Sequence, residues 1–136
     1  MSAFTMLDCV FILNAVTLST FTTSLTIDIS VDDQETTAFG GNGYKSRIGG
    51  LKEFTLKVDF FQDFASGAVD ATIWPLLGTV TTWSAKATTA ANSATNPNYS
   101  GSVLVAEYSP LDGDVGDVST TSASWPGTGA LARATS

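Results

Sequence analysis

Alternation of apolar and polar residues is the strongest pattern in the chain. Leu25, Ile27, Ile29 and Val31 alternate with Thr26, Asp28, Ser30 and Asp32; farther on, Phe54, Leu56, Val58 and Phe60 alternate with Glu53, Thr55, Lys57 and Asp59. A period of two gives a strand one buried and one wet face, so residues 25–32 and 51–61 are predicted strands. Sequence order makes them antiparallel partners. Their polar faces then merge into one stripe carrying Asp28, Asp32, Lys57 and Asp59 among serines and threonines. Two strands alone are marginal in water, so the pair must continue into a larger sheet, within the chain or across subunits.

Shorter signals complete the outline. The apolar run at residues 9–13 and the stretches 79–87, 102–108 and 117–125 read as further strands. Between the third and fourth of these six, the period changes: Val69, Ile73 and Leu76 or Leu77 recur at helical spacing, and Trp74 adds bulk to that face. Ser66 is placed as an N-cap, Asp70 lies in the first turn, Pro75 shortens the helix and Gly78 stops it, which predicts one short helix over about 67–77. Residues 88–100 form a loop ending in the turn signal Asn96-Pro97-Asn98, residues 110–116 an acidic turn, and PGTG at 126–129 closes the last strand. A loose tail is expected over 130–136. The prediction is mainly β: a single domain, 1–136, built as a β-sandwich or barrel with one short flanking α-helix.

The connection between the two best strands is unusual. Residues 36–50 are rich in glycine, yet they also carry Phe39, Tyr44 and Ile48 and two of the chain's six cations, Lys45 and Arg47. A flexible linker would not hold such anchors. Gly40 and Gly43 permit positive φ and close backbone approach, and the stretch is predicted to be a sticky arm that meets another copy of the chain. Composition agrees. Only 14% of residues are charged and mean hydropathy is +0.19, so an assembly that buries apolar and hydroxyl surface suits the chain better than a monomer. The net charge of −7 argues against gripping nucleic acid, though not against a surface that nucleic acid slides past. Acidic groups at Asp28, Asp32, Asp33 and Glu35 and at Asp112, Asp114 and Asp117 flank the basic residues, and the arm's cations are expected to meet a neighbour's acidic loop.

Chemistry is mostly missing. With no histidine and only Cys9, set in an apolar run, nucleophile–base pairs and soft-metal sites have no residues to use. The carboxylate pairs Asp59/Asp63 and Asp28/Asp32 have the generic i, i+4 spacing of a solvated strand. DGDVGD at 112–117 lacks the downstream glutamate of a calcium loop. The glycine-rich arm lacks the GK[ST] ending of a phosphate loop. No catalytic residue, metal or cofactor is therefore expected. The N-terminal stretch lacks the pattern of a signal peptide, and no run approaches the ~20 apolar residues of a membrane span, so the chain reads as soluble and made in a cytoplasm.

Taken together, TTAFGGNGYKSRIGGLKEFTLKVDFFQDF, VDATIWPLLGT, NPNYSGSVLVAEYSP and GDVGDVSTTSASWPGTG resemble the major tail (tail tube) proteins of long-tailed, non-contractile bacteriophages of the siphovirus type. The similarity runs over roughly residues 16–133. It implies a structural virion protein, assembled in the host cytoplasm, whose subunits form homo-hexameric rings that stack into a hollow tube for DNA ejection. Strands from all subunits would be shared into a ring-wide inner β-barrel. Residues 25–32 and 51–61 become the barrel strands, with Asp28, Asp32, Lys57 and Asp59 facing the lumen. Phe39, Gly40, Gly43, Tyr44, Lys45, Arg47 and Ile48 become the ring-stacking arm. The implied partners are further copies of the chain, tail terminator, tape measure and tail tip proteins, and DNA that passes without specific binding. Two alternatives remain on the sequence: a terminator or head–tail connector ring, and a monomeric carbohydrate- or receptor-binding sandwich using Trp83, Tyr99 and Trp125 as stacking platforms.

Overall fold

The computed structural model describes residues 3–136 and contains β1 (Val10–Leu13), β2 (Val16–Thr17), β3 (Thr22–Glu35), β4 (Arg47–Phe61), β5 (Val80–Lys86), β6 (Asn98–Leu104) and β7 (Thr120–Ala134). Between β4 and β5, α1 (Val69–Ile73) tightens into a 3-10 turn, Trp74–Leu76. All pairings are antiparallel, in the order β2-β1-β5-β6-β7-β4-β3. The sheet is not closed into a barrel.

β7 makes this one sheet a sandwich. Its first half pairs with β4, from Thr120 opposite Phe61 to Pro126 opposite Thr55. Its second half leaves β4 and pairs with β6, from Gly127 opposite Val103 to Ala134 opposite Asn98. The sheet folds over along β7, so the apolar face of β4 meets β1 and β5. Phe11 and Phe60 lie 6.1 Å apart between ring centroids, and Phe54 and Trp83 lie 6.0 Å apart. Leu56, Val58, Val103, Ala123 and Trp125 fill the space between, and α1 closes one end with Val69 and Ile73. Each such side chain contributes about 1.5–3 kcal/mol by leaving water.

Several predicted elements move. The last strand does not stop at PGTG: Pro126 sits at the point where β7 changes partners, and Gly129, at φ +78°, lies in a bulge opposite Gly101. The tail is consequently ordered as strand, with Arg133 opposite Tyr99 and Ala134 opposite Asn98. β6 starts at Asn98 and ends at Leu104, after which Val105 still exchanges hydrogen bonds with Gly78 and Thr79, the residues that lead into β5. The N-cap of α1 is Ala68, with no side-chain cap, in place of Ser66. Trp74 is 60% exposed, not core. It follows Ile73 by one residue, about 100° around the helix from the buried side. The two-residue strand β2 is too short to leave a periodic signal.

Candidate assembly surface

β3 and β4 outrun the sandwich. β7 covers β4 only from Thr55 to Phe61, so residues 29–35 and 47–54 continue as a two-stranded ribbon. At about 3.3 Å per residue this ribbon projects roughly 20 Å. The arm is shorter than predicted: residues 47–50 belong to β4, and only 36–46 form the connecting loop. The register steps from Val31 opposite Lys52 to Asp33 opposite Gly49, so Asp32 faces two residues, Gly50 and Leu51. The two glycines there are closely approached by side chains of β3. A Cβ at position 49 would lie 3.1 Å from Val31 Cγ1, and one at position 50 would lie 3.1 Å from Gln34 Cγ. At the tip, Gly40 and Gly43 adopt φ of +98° and +84°, so they are turn residues. Phe39, Tyr44 and Ile48 stand in solvent around them.

The arm's cations are not free. Lys45 pairs with Glu35 at 3.7 Å and Arg47 with Asp33, both within the same hairpin. A neighbour's acidic loop is therefore not what holds them in the single chain. Exposed pairs of this kind stabilise by about 0–1 kcal/mol, enough to straighten a ribbon and little enough to be exchanged.

The polar face of β3 and β4 is continuous, as the alternation implied. Ser24 lies opposite Asp59, Thr26 opposite Lys57, Asp28 opposite Thr55 and Ser30 opposite Glu53. Asp32 follows on the same face past the bulge, beside Gly50. Lys57 Nζ is 2.9 Å from Asp28, so the stripe's one cation is neutralised in place, leaving Asp32, Glu53 and Asp59 without cationic partners among the described residues. Glu53 belongs to the same alternation but was not counted in the predicted stripe. Nor were Ser122 and Ser124 of β7, which widen the face beside Asp59 and Lys57. Backbone groups along the outer edge of β3 have no strand partner. On the far side of this three-stranded face, the edge of β7 is covered by a side chain: Ser124 N donates to Glu107 Oε1 at 2.7 Å.

A second polar cluster fastens the end of β4. Gln62 Nε2 donates to Tyr108 Oη at 2.9 Å and to Pro110 O at 2.7 Å, and Gln62 N donates to Ser119 O at 3.0 Å. Both feet of the acidic loop 110–119 thus rest on one residue. Tyr108 Oη in turn donates to Asp70 Oδ1 at 2.8 Å, tying the loop to α1. Burial pushes the Tyr108 hydroxyl up to about 12, with the Asp70 carboxylate adding to the rise and the Gln62 bond opposing it. Burial likewise raises the half-buried Cys9 thiol.

Trp83 and Trp125 are buried, and Trp125 Nε1 donates to Glu107 O at 2.9 Å. Neither can act as a sugar-stacking platform, and of the three rings that alternative used only the partly buried Tyr99 reaches solvent. Asp63 accepts from Ala65 N at 2.9 Å as a turn residue, and Asp28 is committed to Lys57. Among the described residues, no three carboxylate, cysteine or histidine side chains converge as a metal site would need.

No family model and no curated protein matches the sequence. Solved structures do match the fold. A chain of the virion of the native gene transfer agent (GTA) particle superposes with a TM-score of 0.75 at 12% identity, covering 93% of this chain and 95% of that one. The chain shares the fold of a GTA virion subunit. A chain in the tail of the empty GTA particle, determined with helical refinement and C6 symmetry, gives 0.68 at 12% identity over 82% and 81%. A chain of the six-fold symmetrised anti-feeding prophage baseplate gives 0.54 at 10% identity over 98% and 97%.

Proposed function

We propose that the protein is a structural subunit of a phage-type tail, closing into six-membered rings that stack into a hollow tube for DNA ejection. The observation that carries this reading is the fold shared along nearly its whole length with a GTA virion chain, supported by the C6-symmetric tail match. The chain's own surfaces fit the role. β3 offers fourteen residues of open edge at one side of a three-stranded face, with β7 at the other. Joining β3 of one copy to β7 of the next, with the Glu107 carboxylate displaced from Ser124 N, would close a barrel around the ring and remove an edge that otherwise invites aggregation. The face so enclosed carries Asp28, Asp32, Glu53 and Asp59 against Lys57, a net negative lining that DNA phosphates do not adhere to. The ribbon and its arm would run along the axis to the adjacent ring. Stacking of this head-to-tail kind yields open filaments. Its other partners would be those at the tube's ends and inside it: terminator, tail tip and tape measure proteins, met in the host cytoplasm during assembly. The motif resemblance is what supports a tail of the long, non-contractile class.

The baseplate match supports a second reading, a ring that does not elongate, as in a terminator, connector or baseplate layer. Negative-stain electron microscopy of the purified protein separates the two. Hollow filaments with a six-fold cross-section are expected; isolated rings at every concentration and ionic strength would favour the second reading, and a monodisperse monomer would sink both.

A further inference from the structure

Two surfaces at opposite ends of β4 are complementary and have no partner in the single chain. One is the loop 110–119, which alternates acid with exposed aliphatic residues: Asp112, Asp114 and Asp117 beside Leu111, Val115 and Val118, these three exposed by 81%, 106% and 70%. Ten residues tethered at both feet to Gln62 make a closed, presented loop and not a loose connection.

The other lies at the base of the ribbon, on the face that continues the core outward. Ile29, Lys52, Glu53 and Phe54 line a cleft there against residues 129–131 of β7, with the Glu53 carboxylate turned to Ser30 Oγ on the polar face. Val31, opposite Lys52, extends its apolar floor, and Arg133 follows Leu131 along β7 at the same parity. Ile29 and Val31 remain about half exposed although they belong to the strand's apolar face. Lys52 and Arg133 have no carboxylate within 4.0 Å among the described residues, unlike Lys45, Arg47 and Lys57. This pair of cations, not the arm's, is what an acidic partner would find unmatched.

We infer that the loop 110–119 of one copy docks into the Ile29/Lys52/Phe54 cleft of a second copy in the adjacent ring, with Arg133 at its margin two residues beyond Leu131. Asp112, Asp114 and Asp117 meet Lys52 and Arg133 while Val115 and Val118 cover Ile29 and Val31. The inference rests on the tube reading above and specifies its axial contact. Lys52 and Gln62 are ten residues apart on one strand, about 30 Å. The two surfaces therefore point along the same axis in opposite senses, the geometry of a contact that repeats without closing. Charge complementarity fixes the register, and the aliphatic residues give area that salt does not screen.

The test uses two variants of the full chain. One reverses the loop (Asp112→Lys, Asp114→Lys, Asp117→Lys); the other reverses the cleft (Lys52→Glu, Arg133→Glu). Each alone should form rings but lose at least ~90% of filament length in negative stain, through like-charge contact across the ring-to-ring interface. Mixed one to one, they should elongate again, because the basic loop fits the acidic cleft and the native loop fits the native cleft. Circular dichroism and melting of each variant establish that it is folded. Wild-type-length filaments from either variant alone would overturn the inference, and so would folded variants whose mixture stays as rings. Should the triple reversal fail to fold, Asp112→Asn with Asp117→Asn replaces it, and elongation at wild-type rate across ~50–500 mM salt would be the contrary result. If the wild type itself gives no filaments, it is the tube reading that fails, not this contact.

Discussion

The ring of Phe54 lies directly over Gly127. A Cβ built at position 127 would have three atoms of that ring within 2.6 Å. Gly127 is also the residue at which β7 leaves β4 for β6. The close approach therefore lets one strand serve both layers: the backbone must pass beneath the aromatic ring where the sheet folds over. Gly101 on β6 makes room for the same ring, with a built Cβ 3.1 Å from Phe54 Cζ.

Gly127→Ala should accordingly destabilise by about 1–3 kcal/mol through overpacking, with no φ strain involved. Phe54→Leu should cost on its own by leaving space. Combined, the two should cost less than their sum, since the smaller side chain vacates the volume the methyl needs. Urea unfolding of the two singles and the double measures this; strict additivity would mean the contact is not shared.

The arm's contribution can be removed without disturbing the strands that carry it. Glu35 and Arg47 are register partners, so residues 36–46 can be replaced by Asn-Gly, a two-residue turn that fits such a pair. The shortened chain should melt within ~2 °C of wild type, a change of a few tenths of a kcal/mol. It should still form rings, and it should stop there. Tubes of normal length from this variant would reduce the arm to a connecting loop.

How much of this was legible beforehand depends on whether a neighbour in sequence decided it. The β3–β4 pairing, its polar face and the apolar set Phe54, Leu56, Val58 and Phe60 follow from alternation alone, because both strands face the same two environments over most of their length. The sandwich does not follow, since it depends on β7 changing partners at Pro126 and Gly127, where proline and glycine signal a stop to any local reading. The same holds for the ordered tail. Of the candidate surface, the shared polar face of Asp28, Asp32, Lys57 and Asp59 was legible and also carries Glu53, whereas the state of Lys45 and Arg47 was hidden. They and their partners Glu35 and Asp33 lie beyond a bulge that shifts the facing residues by one relative to residues 25–31, where the clean alternation is read.

Tryptophan fluorescence reads the burial directly. Trp74 is exposed while Trp83 and Trp125 are buried. Acrylamide should quench a single population in rings or monomers, and Trp74→Phe should abolish nearly all of it. Quenching by soluble glycans in the Trp74→Phe background would instead revive a stacking role for the two inner rings.

Tyr108 gives the fold an alkaline signature. Its pKa is raised to about 12 in the folded state, from about 10 when unfolded. The folded form therefore holds the proton more tightly. The associated stability is fully present below about pH 10 and is lost as pH rises through about 12. Absorbance at 295 nm should show one tyrosine titrating later than an unperturbed one. Asp70→Ala should lower that midpoint in part, since burial, the larger cause, remains. A single ordinary transition for all three tyrosines would contradict the Gln62–Tyr108–Asp70 linkage.

The charge of the polar face distinguishes a lumen from an interface. Asp28 is paired with Lys57 and should be left alone; Asp32, Glu53 and Asp59 carry the uncompensated charge. All three are exposed on the strand face, so replacing each by lysine alters the electrostatics with little cost to the fold. If the face lines a lumen, the triple variant still assembles into tubes. Assembly in the presence of short duplex DNA should then leave nuclease-protected DNA inside the variant tubes and none inside wild-type tubes. Protection should fall steeply between ~50 and ~200 mM salt as counterions compete for the new lysines. A variant that melts like wild type but no longer forms rings would place these carboxylates between subunits. Tubes that bind DNA without protecting it would place them on the outer wall, and in either case the face assignment would have to be reversed.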